Sequence, residues 1–117
     1  MSANRRAFAR HEIKLAAEAT LADGQIVSGV TKDLSLGGSC VACAHPLPES
    51  ETVQLALFVV VDGIEEASVP PLLVRASVQW TAQNDDASLE DRHLAGLRFD
   101  GMTEAQGQWL ARFLPAH

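Results

Sequence analysis

The stretch that decides the fold is "IKLAAEATLADGQIVSGVTKDL", residues 13–34. In its first part every odd position from 13 to 21 is apolar, whereas the even positions include Lys14, Glu18 and Thr20. An alternation with a period of two is typical of a β-strand that buries one face. The turn-forming pair "DG" at 23–24 then leads into a second β-rich run, which is the strongest short-range signal for a hairpin. These residues therefore predict two antiparallel strands.

Strand patterns continue through most of the remaining chain. "VQLALFVVV", residues 53–61, is the most apolar run, and its β-branched residues favour a strand over a helix. Residues 72–81 alternate again and place Trp80 on the predicted core face, whereas the polar, acidic residues 83–92 form a loop. "HLAGLRF", residues 93–99, is predicted to be the last strand.

The end of the chain changes to a helical period. Thr103 is a suitable N-cap and Gln106, three residues later, completes a capping-box pattern. The apolar face of the following turns includes Trp109, so a helix is predicted over residues 103–114. Five to seven strands at short spacing with one terminal helix predict a mainly β domain, a small antiparallel barrel with the helix packed across it.

Length and charge limit the function. The chain has 117 residues, enough for one domain, and its 15 acidic against 9 basic residues give a net charge of −6. This charge argues against a broad cationic face for duplex DNA or an anionic membrane. Four of the basic residues nevertheless fall in the first fourteen positions, so any anion site is expected to be local.

The sequence shows no secretory signal and no apolar stretch long enough to span a bilayer, so no direct membrane insertion is expected. Cys40 and Cys43 are too close in sequence to form a disulfide that stabilises the fold. This cysteine content fits a reducing compartment. We therefore expect a cytoplasmic protein.

Two short stretches stand out as a candidate site. "RRAFAR", residues 5–10, contains an RxxxR pattern formed by Arg6 and Arg10, and "DLSLGG", residues 33–38, contains a [DN]xSxxG pattern. Together, in this order and ahead of these strands, they resemble the signature of PilZ domains, a bacterial family. The resemblance extends over almost the whole chain, including "VQW" at 78–80 and "HLAGLRFDGM" at 93–102.

The resemblance implies a six- or seven-stranded PilZ-type antiparallel β-barrel with a C-terminal α-helix, spanning residues 13–117, behind a flexible N-terminal arm of residues 1–12. It also implies a receptor or adaptor that binds the second messenger cyclic di-GMP, changes conformation and regulates an unidentified effector protein. The expected outputs are motility, biofilm or exopolysaccharide production. Neither enzymatic activity nor a cofactor is implied.

The residue types suit such a ligand. A guanidinium fork meets the O6 and N7 acceptors of guanine or two phosphate oxygens, and its plane stacks on a base. On the resemblance, Arg6 and Arg10 make these contacts, and Arg5 influences whether one ligand molecule or two are bound. Asp33 can accept from the N–H donors of guanine, Ser35 can bond a base or phosphate oxygen, and Gly38 permits close backbone approach.

Other interpretations stay open at this stage. The arginines can be a solvated tail, and "DLSLGG" can be a strand-ending turn in which Asp33 and Ser35 bond the nearby backbone. The whole chain can also be a ligand-independent interaction barrel of pilus or flagellar machinery.

Three further classes find little support in the sequence. Cys40 and Cys43, three apart on a strand, point to opposite faces, so no metal site is expected. No catalytic motif is found, so no catalytic residues are assigned. DNA or RNA binding on a small barrel needs exposed aromatic residues, and both tryptophans fall on predicted core faces.

Overall fold

The computed structural model describes residues 14–66, 68–84 and 91–114. They form eight strands and one helix, which in chain order are β1 (Ala16–Thr20), β2 (Ile26–Leu34), β3 (Gly38–Cys43), β4 (Thr52–Phe58), β5 (Val60–Val61), β6 (Ile64–Glu65), β7 (Leu72–Gln83), β8 (His93–Asp100) and α1 (Glu104–Ala111). No helix within these ranges is long and apolar enough to cross a membrane.

Six of the strands form a closed antiparallel barrel in the order β1-β2-β3-β8-β7-β4. The barrel closes because β4 pairs with β1, with Ala17 opposite Leu57 and Ala19 opposite Leu55. Closure satisfies the backbone groups that an open sheet would leave at its edges. The mainly β, six-stranded barrel predicted from the sequence is thereby confirmed.

The barrel interior is filled by the alternating residues that the sequence pattern indicated. Leu15, just before β1, and Ala17 and Ala19 of β1 are all buried, and so are Leu57 and Leu55 of β4, which pair with the two alanines. Small alanines on β1 leave room for the large leucine side chains beside them in the same layer of the core. Each buried leucine contributes about 1.5–3 kcal/mol relative to an exposed one.

Helix α1 packs against β7. Thr103 and Gln106 form the predicted capping box, and the Gln106 side chain also donates to the carbonyl oxygen of Leu73 at 2.7 Å. Trp109 is buried, its indole N–H donates to the carbonyl oxygen of Pro70 at 2.8 Å, and its ring lies 4.8 Å from that of Phe113. The helix is shorter than the predicted 103–114, since regular hydrogen bonding ends at Ala111.

The apolar run at residues 53–61 is not one strand. β4 ends at Phe58, and Val60 and Val61 pair with Ile64 and Glu65 in a separate two-stranded hairpin. The pair Asp62 and Gly63 adopts positive φ angles of 54° and 80°, which make the tight turn. Val60, Val61 and Ile64 are therefore exposed at the tip rather than buried.

Candidate functional site

The Asp33–Gly38 stretch comprises the end of β2, the turn at residues 35–37 and the first residue of β3, and its serine organises the turn. The Ser35 hydroxyl accepts the backbone N–H groups of Gly37 and Gly38, each at 3.1 Å, and donates to the carbonyl oxygen of Gly38 at 3.2 Å. The side chain is only 2% exposed. The strand-ending turn considered as an alternative is thus present, and the hydroxyl is engaged within it.

Asp33 reaches the outer face of the barrel through a β-bulge. Thr31 pairs with Val41 and Asp33 with Cys40, so Lys32 is an extra residue between them. Thr31 is fully buried, and without the bulge Asp33, two residues later, would face the interior as well. Its carboxylate accepts the Cys40 N–H at 3.0 Å, which fixes the side chain beside β3.

Gly38 is required by the approach of strand β8. A Cβ atom at this position would lie 2.1 Å from the carbonyl oxygen of Leu97, closer than any side chain allows. The contact continues through the neighbouring residue, because the Phe99 N–H donates to the carbonyl oxygen of Gly37 at 2.9 Å. This glycine therefore holds the motif turn against β8.

The prediction that Trp80 lies on the core face is wrong. A second bulge places Val78 opposite Leu97 and Trp80 opposite Gly96, with Gln79 as the extra residue. The bulge reverses the facing of the side chains after it, so Trp80 points outward and is 43% exposed. Its indole lies directly on Gly96, where a Cβ atom would come within 2.1 Å of the indole nitrogen.

The two bulges bring the motif and the indole into one line. Asp33 pairs with Cys40, Cys40 with Gly96, and Gly96 with Trp80, which crosses four adjacent strands. We refer to these four residues as the Asp33–Trp80 row. Because the ring covers Gly96, it is about two strand spacings, or about 10 Å, from Asp33. The row therefore offers a carboxylate and an aromatic face on one side of the barrel.

A cationic side chain lies next to this row. Arg98 of β8 is opposite Gly38 on one side and Ser77 on the other. Its Nε donates to Asp100 Oδ1 at 3.2 Å, and the Ser77 hydroxyl donates to the other oxygen of the same carboxylate. The hydrogen bond from Ser77, and after it the one from Arg98, holds the pKa of Asp100 below its ordinary value.

The two cysteines are free thiols on opposite sides of β3, as the sequence indicated. Cys43 belongs to the core, where burial, followed by the charge of Asp91 and the neighbouring Cys40, raises its pKa to about 11. Cys40 lies in the Asp33–Trp80 row and is also buried. A thiol with such a pKa stays protonated and unreactive at neutral pH.

Three of the predicted ligand residues, Arg5, Arg6 and Arg10, lie outside the described residues. The other three, Asp33, Ser35 and Gly38, are brought together in the motif turn. Sequence reasoning missed Trp80 as a surface residue and did not single out Arg98. One signal for the first was available, because a glycine within a strand, here Gly96, often marks close approach of another group.

A family model for the PilZ domain matches residues 4–115 of the chain. The PilZ domain of YcgR from Escherichia coli, solved with c-di-GMP, superposes with a TM-score of 0.73 at 16% identity, covering 94% of this chain and 88% of that one. The PilZ domain of CeSA from a cellulose synthesizing bacterium is 25% identical with a TM-score of 0.58, covering 90% and 93% of the two chains.

Bacillus subtilis MotI/DgrA, an inhibitor of motility, superposes with a TM-score of 0.70 at 15% identity, covering 94% of this chain and 49% of that one. The chain thus spans about half the length of that protein. No curated protein sequence matches the chain. Since the family model spans nearly all residues and the same fold recurs in these structures, the chain belongs to the PilZ domain family.

Proposed function

We propose that the chain is a receptor for cyclic di-GMP, which it binds between an N-terminal arm, residues 1–12, and the outer face of the barrel. The observation that carries the proposal is the Asp33–Trp80 row, which places a carboxylate and an exposed indole beside the motif turn. Two PilZ-type structures solved with this ligand, YcgR of Escherichia coli and MrkH of K. pneumonia, support the choice of nucleotide.

The row suits a guanine nucleotide chemically. The Asp33 carboxylate can accept from the N–H groups on the Watson–Crick edge of guanine while it keeps its bond to Cys40. The exposed face of Trp80 can stack on a base, a contact worth about 1–3 kcal/mol. Ser35 supports the ligand by holding the turn in shape, and its direct contact with a base or phosphate stays a prediction.

The chain that follows the arm joins the barrel close to this face. The first barrel residue after it, Leu15, donates its N–H to the Thr31 hydroxyl at 2.7 Å and accepts the Thr31 N–H at 2.9 Å. Thr31 is two residues from Asp33, and Arg10 is five residues from Leu15, a chain length of up to about 17 Å. Arg6 and Arg10, with Arg5 beside them, can therefore bring guanidinium groups onto a ligand at Asp33.

We further propose that the arm changes its position on the barrel when the ligand binds, and that this change regulates an effector protein in motility, biofilm or exopolysaccharide production. The chain acts as a receptor rather than an enzyme. Its free thiols, Cys40 and Cys43, fit the reducing cytoplasm.

Isothermal titration with cyclic di-GMP tests the proposal. Wild-type protein is expected to bind, and Arg6→Ala and Arg10→Ala are each expected to lose about 1.5–3 kcal/mol, a ten- to hundredfold weaker affinity. Arg112→Ala, which removes an exposed cation after α1, is the matched control and should bind like wild type. Absence of heat with the wild-type protein, or full affinity in both arm variants, would contradict the proposal.

One observation favours a second candidate, the ligand-independent interaction barrel. The β5–β6 hairpin presents Val60, Val61 and Ile64 to solvent, an apolar tip that a protein partner can cover. A thermal shift assay separates the candidates, because a ligand that prefers the native state raises the melting temperature. No shift with excess cyclic di-GMP favours the interaction barrel.

A further inference from the structure

Arg98 occupies a central place on the face that carries the motif. On β8 it is opposite Gly38 of the motif and opposite Ser77 of β7, and its side chain is 62% exposed. Gly38 has no side chain and packs directly against the backbone of β8, so no side chain of β3 is paired with Arg98. Gly96, the position that Trp80 covers, lies two residues earlier on the same face of β8. Arg98 is therefore paired with the motif residue Gly38 and lies on the same face of the barrel as Trp80.

The guanidinium is held from one side only. Asp100 accepts from Nε at 3.2 Å and is itself held by the Ser77 hydroxyl, so the carboxylate orients the arginine. Within residues 14–66, 68–84 and 91–114 no hydrogen bond engages its two terminal nitrogens. The terminal N–H donors of a planar guanidinium match two acceptors in one plane, as phosphate oxygens or the O6 and N7 atoms of guanine present them.

The charges of the ligand and of this face favour a cation at this position. A cyclic dinucleotide carries two phosphodiester charges, and the chain as a whole has a net charge of −6. Asp33 and Asp100 add negative charge on the same face. A cation on the barrel side therefore offsets part of the repulsion between this face and the phosphates.

We propose that Arg98 is a ligand-binding residue of the barrel itself, whose guanidinium, oriented by Ser77 and Asp100, binds a pair of acceptors on the nucleotide. The inference rests on the proposed cyclic di-GMP site and adds a contact that is independent of the arm. It assigns the barrel face between Gly38 and Trp80 a part in binding the anionic nucleotide, beyond supporting the arm.

The test is a titration of the full chain with cyclic di-GMP, comparing wild type with Arg98→Ala and Arg98→Lys. Arg98→Ala is expected to bind about tenfold more weakly or worse, and Arg98→Lys to recover only part of the loss, because it keeps the charge but not the fork. Arg75→Ala is the matched control, since Arg75 is another exposed cation on the outer face, opposite Asp100 but farther from Gly38. It should keep wild-type affinity.

A second ligand distinguishes the two sources of acceptors. With the 7-deaza-guanine analogue of cyclic di-GMP, which lacks N7 but keeps O6, the effect of Arg98→Ala shrinks if the fork reads the guanine edge and persists in full if it binds phosphate. Either result supports the contact.

Two results would overturn it. One is wild-type affinity in Arg98→Ala with an unchanged melting temperature, and the other is an equal loss in Arg75→Ala, which would indicate a general charge effect. If the wild-type chain does not bind the nucleotide, the proposed function itself fails. If the wild-type chain binds and Arg98→Ala binds with the same affinity, only this inference fails.

Discussion

Replacing Ser35 by alanine is expected to destabilise the protein in the absence of any ligand. The hydroxyl is 2% exposed and makes three hydrogen bonds within the motif turn, two from the N–H groups of Gly37 and Gly38 and one to the carbonyl oxygen of Gly38. Alanine removes all three and leaves the buried N–H of Gly38 without its acceptor. The turn that holds β3 against β8 would then loosen.

The magnitude follows from these contacts. A typical hydrogen bond contributes about 1 kcal/mol net, and a buried donor left unsatisfied costs about 1–3 kcal/mol. The N–H of Gly37 is only partly buried and can find water, so the loss is concentrated at Gly38. The free energy of unfolding should therefore fall by about 2–4 kcal/mol. With an m value of about 2 kcal/mol per M in urea, the midpoint falls by about 1–2 M.

Equilibrium urea unfolding of ligand-free protein, followed by tryptophan fluorescence, measures this loss. Ser28→Ala is the matched control, because Ser28 is an exposed serine on β2, the strand that leads into the motif turn. Its unfolding free energy should stay within about 0.5 kcal/mol of wild type. If Ser35→Ala unfolds at the same urea concentration as Ser28→Ala and only its affinity for ligand falls, the hydroxyl is a ligand contact and the assignment to the turn is wrong.

Three further predictions concern other parts of the barrel. Gly96→Ala should displace the indole of Trp80, since the new methyl group meets its ring at 2.1 Å, and an unshifted tryptophan emission spectrum would contradict this contact. Trp109→Phe should lower the free energy of unfolding by about 1–3 kcal/mol, because it removes the hydrogen bond to Pro70 and part of the buried volume. A urea midpoint equal to that of wild type would contradict this prediction. The pKa of Cys43 in the folded protein is raised to about 11, so its neutral thiol should contribute stability below pH 9 that is lost as the pH rises towards 11. For the same reason, Ellman's reagent at pH 8 should not modify Cys43 in the native protein. Rapid modification would refute its burial.

The candidate site was only partly predictable from the sequence. Asp33, Ser35 and Gly38 stand within six residues, so a local pattern suffices to find them. Trp80 was placed on the wrong face because a bulge does not interrupt the alternation of apolar residues; it shows only in the pairing of β7 with β8. The role proposed for Arg98 depends on its pairing with Gly38 on the neighbouring strand, and the sequence does not reveal this pairing because Gly38 is sixty residues away along the chain.

The sequence by itself determined where most of the barrel strands run, which residues face the core in regular strands such as β1, and where the motif turn falls. These properties depend on neighbours within a few positions, such as the alternation around Leu15 or the capping pair Thr103 and Gln106. Only the tertiary structure decided that β1 closes the barrel on β4 and that the Asp33–Trp80 row crosses four strands. Strand partners and bulges arise from packing between distant segments, since a shift of one residue in register turns every later side chain to the opposite face.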